Sequence, residues 1–336
     1  MDESQGTSPD PAYAARIATE RRNFDDQTSI HDLPPICFYW LNRFILPQLT
    51  GLGYASAENF FLRNLQRAYE HGEGQRRFLS IGAGNCDTEV RMAGELRNSG
   101  ASDFVIDCLD LSQQMLERGR ALAAQEGVAE HIHPICGDLN HWQPDREYDA
   151  VLANHALHHV LRLEPLFDGI HRSLSRNGVL IASDMIGRNG HRRWPEALVW
   201  VQQFWQELPP PYRFNRQLER QETDYPDWDC SADGMGFEGI RAQDILPLLI
   251  ERFRFQFFYA FSNVTDPFID RSFGPNFDPR NPWDRQFIDR VHACDEAEIG
   301  AGRIKPTHML AVLRREQAEP LLCMGHRTPE FCVRRP

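Results

Sequence analysis

Between residues 76 and 185, short apolar segments alternate with segments whose apolar residues recur every three or four positions. The short runs predict buried β-strands, and the 3.6-residue period predicts amphipathic helices between them. Strands that alternate with helices build a mainly parallel sheet covered by helices on both faces. The sequence therefore predicts an α/β fold here. The predicted strands are 78–81, 104–109, 131–135, 148–153 and 179–183.

The flanking segments have different patterns. Residues 13–71 carry helical periodicity without strand alternation, and residues 187–239 are rich in aromatic side chains. Further strands are predicted at 253–259 and 307–313. These changes divide the chain into three parts. They are an N-terminal tail and helical cap (1–75), a main domain (76–316) with a helical cap insertion at about 187–239, and a C-terminal tail (317–336).

Charge and composition restrict the classes of partner. The 336 residues include 36 Lys and Arg against 48 Asp and Glu, which gives a formal net charge of −12. An acidic chain is poorly suited to binding a nucleic-acid backbone or an anionic membrane through its overall field. Eight scattered cysteines without zinc-ligand spacing favour reduced thiols in a cytoplasmic protein. Neither a membrane span nor a secretory signal is predicted.

The first predicted strand ends in a glycine loop, Ser80-Ile81-Gly82-Ala83-Gly84. Two glycines allow the backbone to turn sharply and to approach a ligand closely. The following helix offers free N–H groups and the positive end of its dipole. A simple tight turn explains the same residues. The third glycine of a dinucleotide loop and the Gly-Lys-Ser/Thr of a phosphate loop are both absent.

Acidic residues follow the next two strands. Asp110, after the second strand, is placed to accept both hydroxyls of a ribose, and helix capping is the alternative. Asp138, after the third strand, is placed to accept an adenine amine with Leu139 packed on the ring. A Gly-Asp turn is the alternative for that segment. Both acids are expected at the ligand-binding edge of the sheet.

Polar residues also follow the fourth strand, where Asn154 is succeeded by His155, His158 and His159. Three histidines within five positions raise the question of a metal ion. No further ligand has evident spacing along the chain, so the sequence predicts no metal. Histidine is also suited to proton transfer near neutral pH.

The ends of these four strands together resemble the class I S-adenosylmethionine-dependent methyltransferases. The resemblance covers residues 76–185 and, more loosely, 237–315. The matching segments are Phe78–Gly84 for the first motif, Leu109-Asp110 for the ribose-binding acid, Gly137–Leu139 for the adenine contact, and Tyr148–Asn154 with His155–Val160 for the fourth-strand motif.

The resemblance implies a Rossmann-like, mainly parallel seven-stranded sheet and S-adenosyl-L-methionine as the cofactor. Two positions depart from the family pattern. Ser80 stands where the family usually has an acid, and Cys86 replaces the usual third glycine. The cofactor-binding residues that the resemblance implies are Ser80, Gly82, Ala83, Gly84, Asp110, Leu111, Asp138, Leu139 and Asn154.

The implied activity is methyl transfer to an oxygen or nitrogen of a small, partly apolar organic acceptor. His158 and His155 are the candidate general bases, with packing beneath the cofactor as their alternative role, and His191 in the insertion is a further possibility. The N-terminal helices and the aromatic insertion are expected to cover the strand ends. Two other functions stay open: a non-methylating enzyme of the same fold, and a non-catalytic subunit that binds a partner. A homodimer is also left open.

Overall fold

The computed structural model describes residues 10–25, 32–72, 74–317 and 319–334. Eight strands within these ranges form one sheet, in the order β10-β8-β9-β5-β4-β1-β2-β3, and two more form a separate hairpin. The strands are β1 (Arg76–Ile81), β2 (Phe104–Asp110), β3 (Ile132–Cys136), β4 (Tyr148–Asn154), β5 (Leu174–Met185), β6 (Phe214–Asn215), β7 (Arg220–Gln221), β8 (Arg254–Phe261), β9 (His308–Arg314) and β10 (Leu322–Cys323).

Helices precede, separate and follow these strands. A π-helical turn, Leu41–Ile45, joins the second helix to the third. Within the described ranges, no helix has the length and apolar character needed to cross a membrane. The helices are α1 (Pro11–Phe24), α2 (Pro35–Trp40), α3 (Leu46–Gly51), α4 (Ala57–His71), α5 (Asp87–Asn98), α6 (Gln113–Gln125), α7 (Leu163–Ser173), α8 (Pro195–Glu207), α9 (Ala242–Arg252), α10 (Asp266–Ile269), α11 (Pro282–Gly300) and α12 (Pro329–Cys332).

The sheet is parallel except at β9, which runs antiparallel to both β5 and β8. The predicted α/β fold class is confirmed, including the late antiparallel strand. The strand count differs by one, because β10 lies in the C-terminal tail and pairs with β8 through Leu322 and Cys323. Two residues are too few to show a period, so the sequence pattern gave no sign of this strand.

Alternate residues of the strands point to two separate hydrophobic cores. Phe78 of β1 packs into one core, with the inner faces of α4, α5, α6 and α11. Leu79, the next residue, packs into the other core with α7 and α9. This alternation follows from the two-residue period of a strand. Helices therefore cover both faces and leave the strand ends as the place for a ligand.

Strand order reverses between β1 and β4, since β2 and β3 continue on one side and β5 on the other. In open parallel sheets, ligands bind beyond the carboxyl ends of the strands at such a reversal. Helix α1 lies at this edge, where Tyr13 donates a hydrogen bond to Asp138. The residues that follow β1, β2, β3 and β4 therefore meet beneath α1.

The predicted cover of the strand ends is only partly present. Helices α2 to α4 pack into the core of the first face instead. In the aromatic insertion, Phe204 and Trp205 of α8 are buried in that same core. The Tyr212 ring is tilted against those of Phe277 and Trp283, at centroid distances of 4.9 and 5.1 Å. Phe204, Trp205 and Tyr212 thus pack the insertion against the core of the first face.

Replacing Phe258 with Ala tests how tightly the antiparallel pair β8 and β9 packs against the rest of the sheet. Phe258 is fully buried on β8, in register with β9 and β10. We expect Phe258→Ala to lower the free energy of unfolding by about 3–5 kcal/mol in chemical denaturation, because a large cavity forms. The control is Phe38→Ala, because the Phe38 ring on α2 is half-exposed. It should change the free energy of unfolding by about 0.5 kcal/mol or less. Equal effects would contradict this packing.

Candidate functional site

The glycine loop after β1 is tied to the neighbouring strands by its backbone. Gly82 and Ala83 donate to the Leu109 carbonyl at 2.8 and 3.2 Å. Gly82 has φ of +66°, and a Cβ there would lie 2.6 Å from the Cβ of Ala156. Only glycine satisfies both the left-handed conformation and this approach. The loop after β1 and the segment after β4 are thereby held in contact.

Asp110 joins the ends of β1 and β2. Its carboxylate accepts hydrogen bonds from the backbone N–H of Gly84 and of Ser112, both at 2.8 Å. Burial raises the pKa of Asp110 above its ordinary value. Each carboxylate oxygen retains a further lone pair. Asp110 thus sits beside the glycine loop with acceptor capacity for a ribose.

Ser80 does not face the strand-end edge. Its side chain is buried, and its hydroxyl donates to Oε1 of Glu89 on α5 at 2.6 Å. Burial, helped by the nearby carboxylates of Asp87 and Asp110, raises the pKa of Glu89 to about 7, although the hydrogen bond from Ser80 acts in the opposite direction. The carboxylate that is missing at position 80 is therefore supplied from the following helix. Direct cofactor contact by Ser80 has no support in this arrangement.

Cys86 occupies the position of the missing third glycine and keeps a glycine-like backbone. Its φ is +56°, in the left-handed region, directly before α5. A non-glycine residue there costs about 1–2 kcal/mol. Its side chain is buried against Gly119 of α6, where an added Cβ would lie 2.7 Å from the Cys86 sulfur. A glycine on the neighbouring helix makes room for the cysteine.

Asp138, after β3, is a hydrogen-bonding centre at the same edge. It accepts from the Tyr13 hydroxyl, from His141 Nδ1 at 2.8 Å and from the Asn140 N–H at 2.9 Å. Partial burial alone would raise the pKa of Asp138, but the bonds from Tyr13 and His141 hold it below the ordinary value. Sequence reasoning missed Tyr13, because it assigned neighbouring residues to a frayed tail.

The remaining predicted cofactor residues lie at the same edge. Leu111, Leu139 and Asn154 are half-buried. Asn154 ends β4, in register with Ser183 of β5. Leu139 packs against the core of the second face. The structure thus brings together all the predicted cofactor residues except Ser80, which lies beneath them.

His158 is held between two carboxylates. It follows β4 on a short 3₁₀ turn, and its Nδ1 lies 2.6 Å from Oδ1 of Asp184. Its Nε2 lies 3.5 Å from Oε1 of Glu238. Burial lowers the pKa of His158, but the two carboxylates outweigh it and raise the pKa to about 10. In this state His158 is an imidazolium at neutral pH and does not accept a proton.

His155 has a different environment three residues earlier. Its side chain is exposed, and no side chain among the described residues hydrogen-bonds to its ring. Desolvation lowers the pKa of His155 to about 4, and the nearby rings of His158 and His308 act in the same direction. Its φ of +52° is another left-handed conformation. His155 is therefore a neutral imidazole at the strand-end edge.

Two further residues join the histidines from distant segments. His191 Nε2 lies 2.6 Å from Oε1 of Glu238, and His159 Nδ1 lies 2.7 Å from Oε1 of Glu20 on α1. His191 was expected only as a further possible base, and Glu238 was not predicted. They lie 33 and 80 residues beyond His158 in the chain. No local spacing signals such contacts.

Comparison with known proteins agrees with the predicted resemblance. Residues 79–182 match the family model described as a methyltransferase domain. This match covers 104 of the 336 residues and is consistent with the class I S-adenosylmethionine-dependent methyltransferases, whose cofactor is S-adenosyl-L-methionine. The glycine loop and Asp110 fit that cofactor, since they offer backbone approach and ribose acceptors at one edge. A search of curated proteins gives no match.

Solved structures with similar folds include methyltransferases and one cyclase. The methyltransferase of Geobacter sulfurreducens, in complex with S-adenosylhomocysteine, is 14% identical over 76% of this chain and 90% of its own, with a TM-score of 0.41. The methyltransferase of Thiobacillus denitrificans, also in complex with S-adenosylhomocysteine, is 15% identical over 85% of this chain and 100% of its own, with a TM-score of 0.41. The [4+2]-cyclase SpnF is 14% identical over 91% of this chain and 94% of its own, with a TM-score of 0.44.

Replacing Asp110 with Asn tests the ribose contact. We expect the affinity for S-adenosylhomocysteine, measured by calorimetry, to fall about 10- to 100-fold, because hydrogen bonds to a charged group are worth about 1.5–3 kcal/mol. The control is Asp103→Asn. Asp103 is exposed and directly precedes β2, at the end of the strand opposite Asp110, so this variant should keep the wild-type affinity. Unchanged affinity in Asp110→Asn would refute the assignment.

Replacing Glu89 with Gln tests the buried carboxyl group. The folded pKa of about 7 lies above the ordinary 4.5, so the native state binds this proton more tightly. Native stability therefore falls as pH rises from about 4.5 to 7. We expect Glu89→Gln to lack this loss and to gain about 1–3 kcal/mol over the wild type by pH 8. Denaturant-induced unfolding of both proteins at a series of pH values measures this difference in the free energy of unfolding.

Glu95→Gln is the matched control for this experiment, because Glu95 is exposed on the same helix. It should leave the pH profile of the wild type unchanged. A Glu89→Gln profile parallel to that of the wild type would show that the Glu89 carboxyl group keeps its ordinary pKa.

Proposed function

We propose that this protein transfers the methyl group of S-adenosyl-L-methionine to an oxygen or nitrogen of a small, partly apolar organic acceptor. The observation that carries this proposal is the accessible, neutral His155 at the strand-end edge of a methyltransferase domain. Its ring is unprotonated at neutral pH and can accept the proton that the acceptor loses, acting as a weak base because its pKa is about 4. The alternative, a non-catalytic subunit, gives no reason for such a residue.

The size of the acceptor is inferred from the segments over the strand ends. Arg16 of α1 donates to the carbonyls of Ser231 and Gly236 in the loop before α9. The Phe237 N–H in turn donates to Glu20 of α1 at 3.0 Å. Helix and loop are thus joined across the edge of the sheet. Such a cover favours a small molecule over a protein or nucleic-acid acceptor.

The character of the acceptor follows from the side chains beneath this cover. The rings of Tyr13 and Phe237 lie 5.6 Å apart, and the ring of Phe24 lies 5.5 Å from that of His159. Aromatic rings supply apolar contact area. Carboxylates of Glu20 and Glu238 stand close by. The lining therefore suits an uncharged or cationic organic molecule with an apolar part.

The cofactor supplies an activated methyl group on a sulfonium. Asp110 accepts ribose hydroxyls, and Asp138 with Leu139 lies where an adenine amine and ring are expected. Helix α1 covers part of this edge, which limits the access of water and favours close approach of the acceptor to the methyl group. His155 accepts the acceptor's proton. His158, charged between its two carboxylates, is not the base in this scheme, although both histidines were predicted as candidates.

The function is tested by incubating the protein with S-adenosylmethionine and a panel of small phenols, alcohols, carboxylic acids and amines. Release of S-adenosylhomocysteine that depends on one acceptor class is the expected result. Tight binding of S-adenosylhomocysteine without turnover of any acceptor would favour the subunit alternative, and isolation of bound partners would then follow.

Replacing His155 with Asn tests its role as proton acceptor. Asn tolerates the left-handed backbone of position 155 but is not basic. With an acceptor from the panel, we expect kcat to fall about 10²- to 10⁴-fold. The affinity for S-adenosylhomocysteine should stay at the wild-type value. His326→Asn, at an exposed histidine bound to the Gly300 carbonyl, is the control. A wild-type kcat in His155→Asn would remove this residue from the mechanism.

A further inference from the structure

Three segments that are far apart in sequence bring His158, His191 and Glu238 to one point. His158 lies on the turn after β4, His191 on the turn Asn189–His191 after β5, and Glu238 in the loop before α9. Backbone hydrogen bonds join these segments directly. Ile240 N–H donates to the His158 carbonyl at 3.1 Å, and Gly190 N–H to the Gly239 carbonyl at 2.9 Å. The cluster is thus fixed by the main chain.

The backbone around His191 is strained in a way that presents its ring. His191 has φ of +56°, and Gly190 before it has φ of +67°. A Cβ on Gly239 would lie 3.0 Å from Cε1 of His191. Strained non-glycine residues concentrate at functional sites, where the surrounding structure holds them. The conformation therefore serves the position of the His191 ring.

The three side chains have the spacing of metal ligands. His191 Nε2 lies 2.6 Å and His158 Nε2 lies 3.5 Å from the same oxygen, Oε1 of Glu238. All three candidate ligand atoms lie within 4.8 Å of one another. Metal–nitrogen and metal–oxygen bonds of about 2.0–2.2 Å require only small side-chain shifts from this arrangement.

Asp184 orients His158 as the partners of metal-bound histidines do. Its Oδ1 lies 2.6 Å from His158 Nδ1, which directs Nε2 toward Glu238 and His191. Asp184 is itself fixed by the N–H groups of Ala156 and Leu157, at 3.0 and 2.7 Å. A carboxylate on the outer nitrogen orients the ring and raises the basicity of the ligand nitrogen. Binding of the ion at Nε2 would displace the proton that the His158 imidazolium carries there.

Negative charge is concentrated around the cluster. Glu20, Asp184 and Glu238 converge on the histidines, and within the described residues no Lys or Arg forms an ion pair with any of them. Two buried carboxylates, of Glu20 and Asp184, beside the partly exposed carboxylate of Glu238 favour a bound cation.

We propose that His158, His191 and Glu238 bind one divalent first-row transition-metal ion, of which Zn²⁺ is the reference. Two imidazole ligands favour such an ion over Mg²⁺ or Ca²⁺, which prefer oxygen. Three protein ligands leave a coordination position for water or for an oxygen of the acceptor. This departs from the expectation of no metal. The proposal deepens the function above, and its binding test does not depend on methyl transfer.

The test uses untagged full-length protein, stripped by a chelator and titrated with Zn²⁺ alone. We expect one ion per chain by calorimetry and elemental analysis, with no competition from Mg²⁺. Titration with Co²⁺ should give visible absorption bands without the near-ultraviolet band of a thiolate ligand. That readout distinguishes the histidine site from the free cysteines.

Variants locate the ion. His191→Ala and Glu238→Gln should each lose the stoichiometric site. Asp184→Asn, which keeps all three ligands, should weaken binding by about 10- to 100-fold. His71→Ala, at an exposed histidine on the last turn of α4, is the matched control and should bind as the wild type does.

Glu238→Gln is the decisive variant, because Glu238 is partly exposed and its replacement by Gln preserves shape. The thermal midpoint and S-adenosylhomocysteine affinity of each variant show whether the domain remains folded. Absence of a stoichiometric ion in the wild type overturns the proposal. Binding that persists unchanged in folded His191→Ala and Glu238→Gln also overturns it, since the ion would then lie elsewhere.

Discussion

One buried carboxylate, Asp184, organises the segment on which the site depends. It lies near the end of β5 and accepts hydrogen bonds from the backbone of Ala156, Leu157 and Met185 and from the ring of His158. A buried charge is tolerated only when it is satisfied in this way. The contacts hold the chain after β4 against the glycine loop after β1. They also fix which way His158 faces.

The strand-end edge depends in turn on contacts from outside the methyltransferase domain. Tyr13 and Glu20 of α1 reach Asp138 and His159, and Ser112 donates to Asp25 just after α1. The same helix joins the loop that carries Glu238. Any movement of α1 therefore changes the surroundings of Asp138, where the adenine is expected, and of the histidines near Glu238.

Sequence patterns were sufficient for the features set by local order. The alternation of strands and helices, the glycine loop, Asp110 and Asp138 all follow from short-range rules on strands and turns. Glu89 places a carboxyl group next to Ser80, where the loop lacks the usual acid, and the sequence analysis did not single it out. Glu238 and His191 join the site through tertiary contacts alone. The aromatic insertion was misjudged because composition does not say which surface an aromatic ring covers.

The two proposals give different tasks to histidines only three residues apart. His155 follows β4 with a left-handed backbone, and among the described residues no side chain hydrogen-bonds to its exposed ring. His158 follows on the 3₁₀ turn, where Asp184 binds one ring nitrogen and Glu238 faces the other. Environments that push the pKa values of like groups apart are how one site separates its acid–base roles. A cation beside Glu238 would lower the negative charge around His155 as well. The segment after β4 can therefore both contribute a ligand to a metal ion through His158 and present a neutral base at position 155.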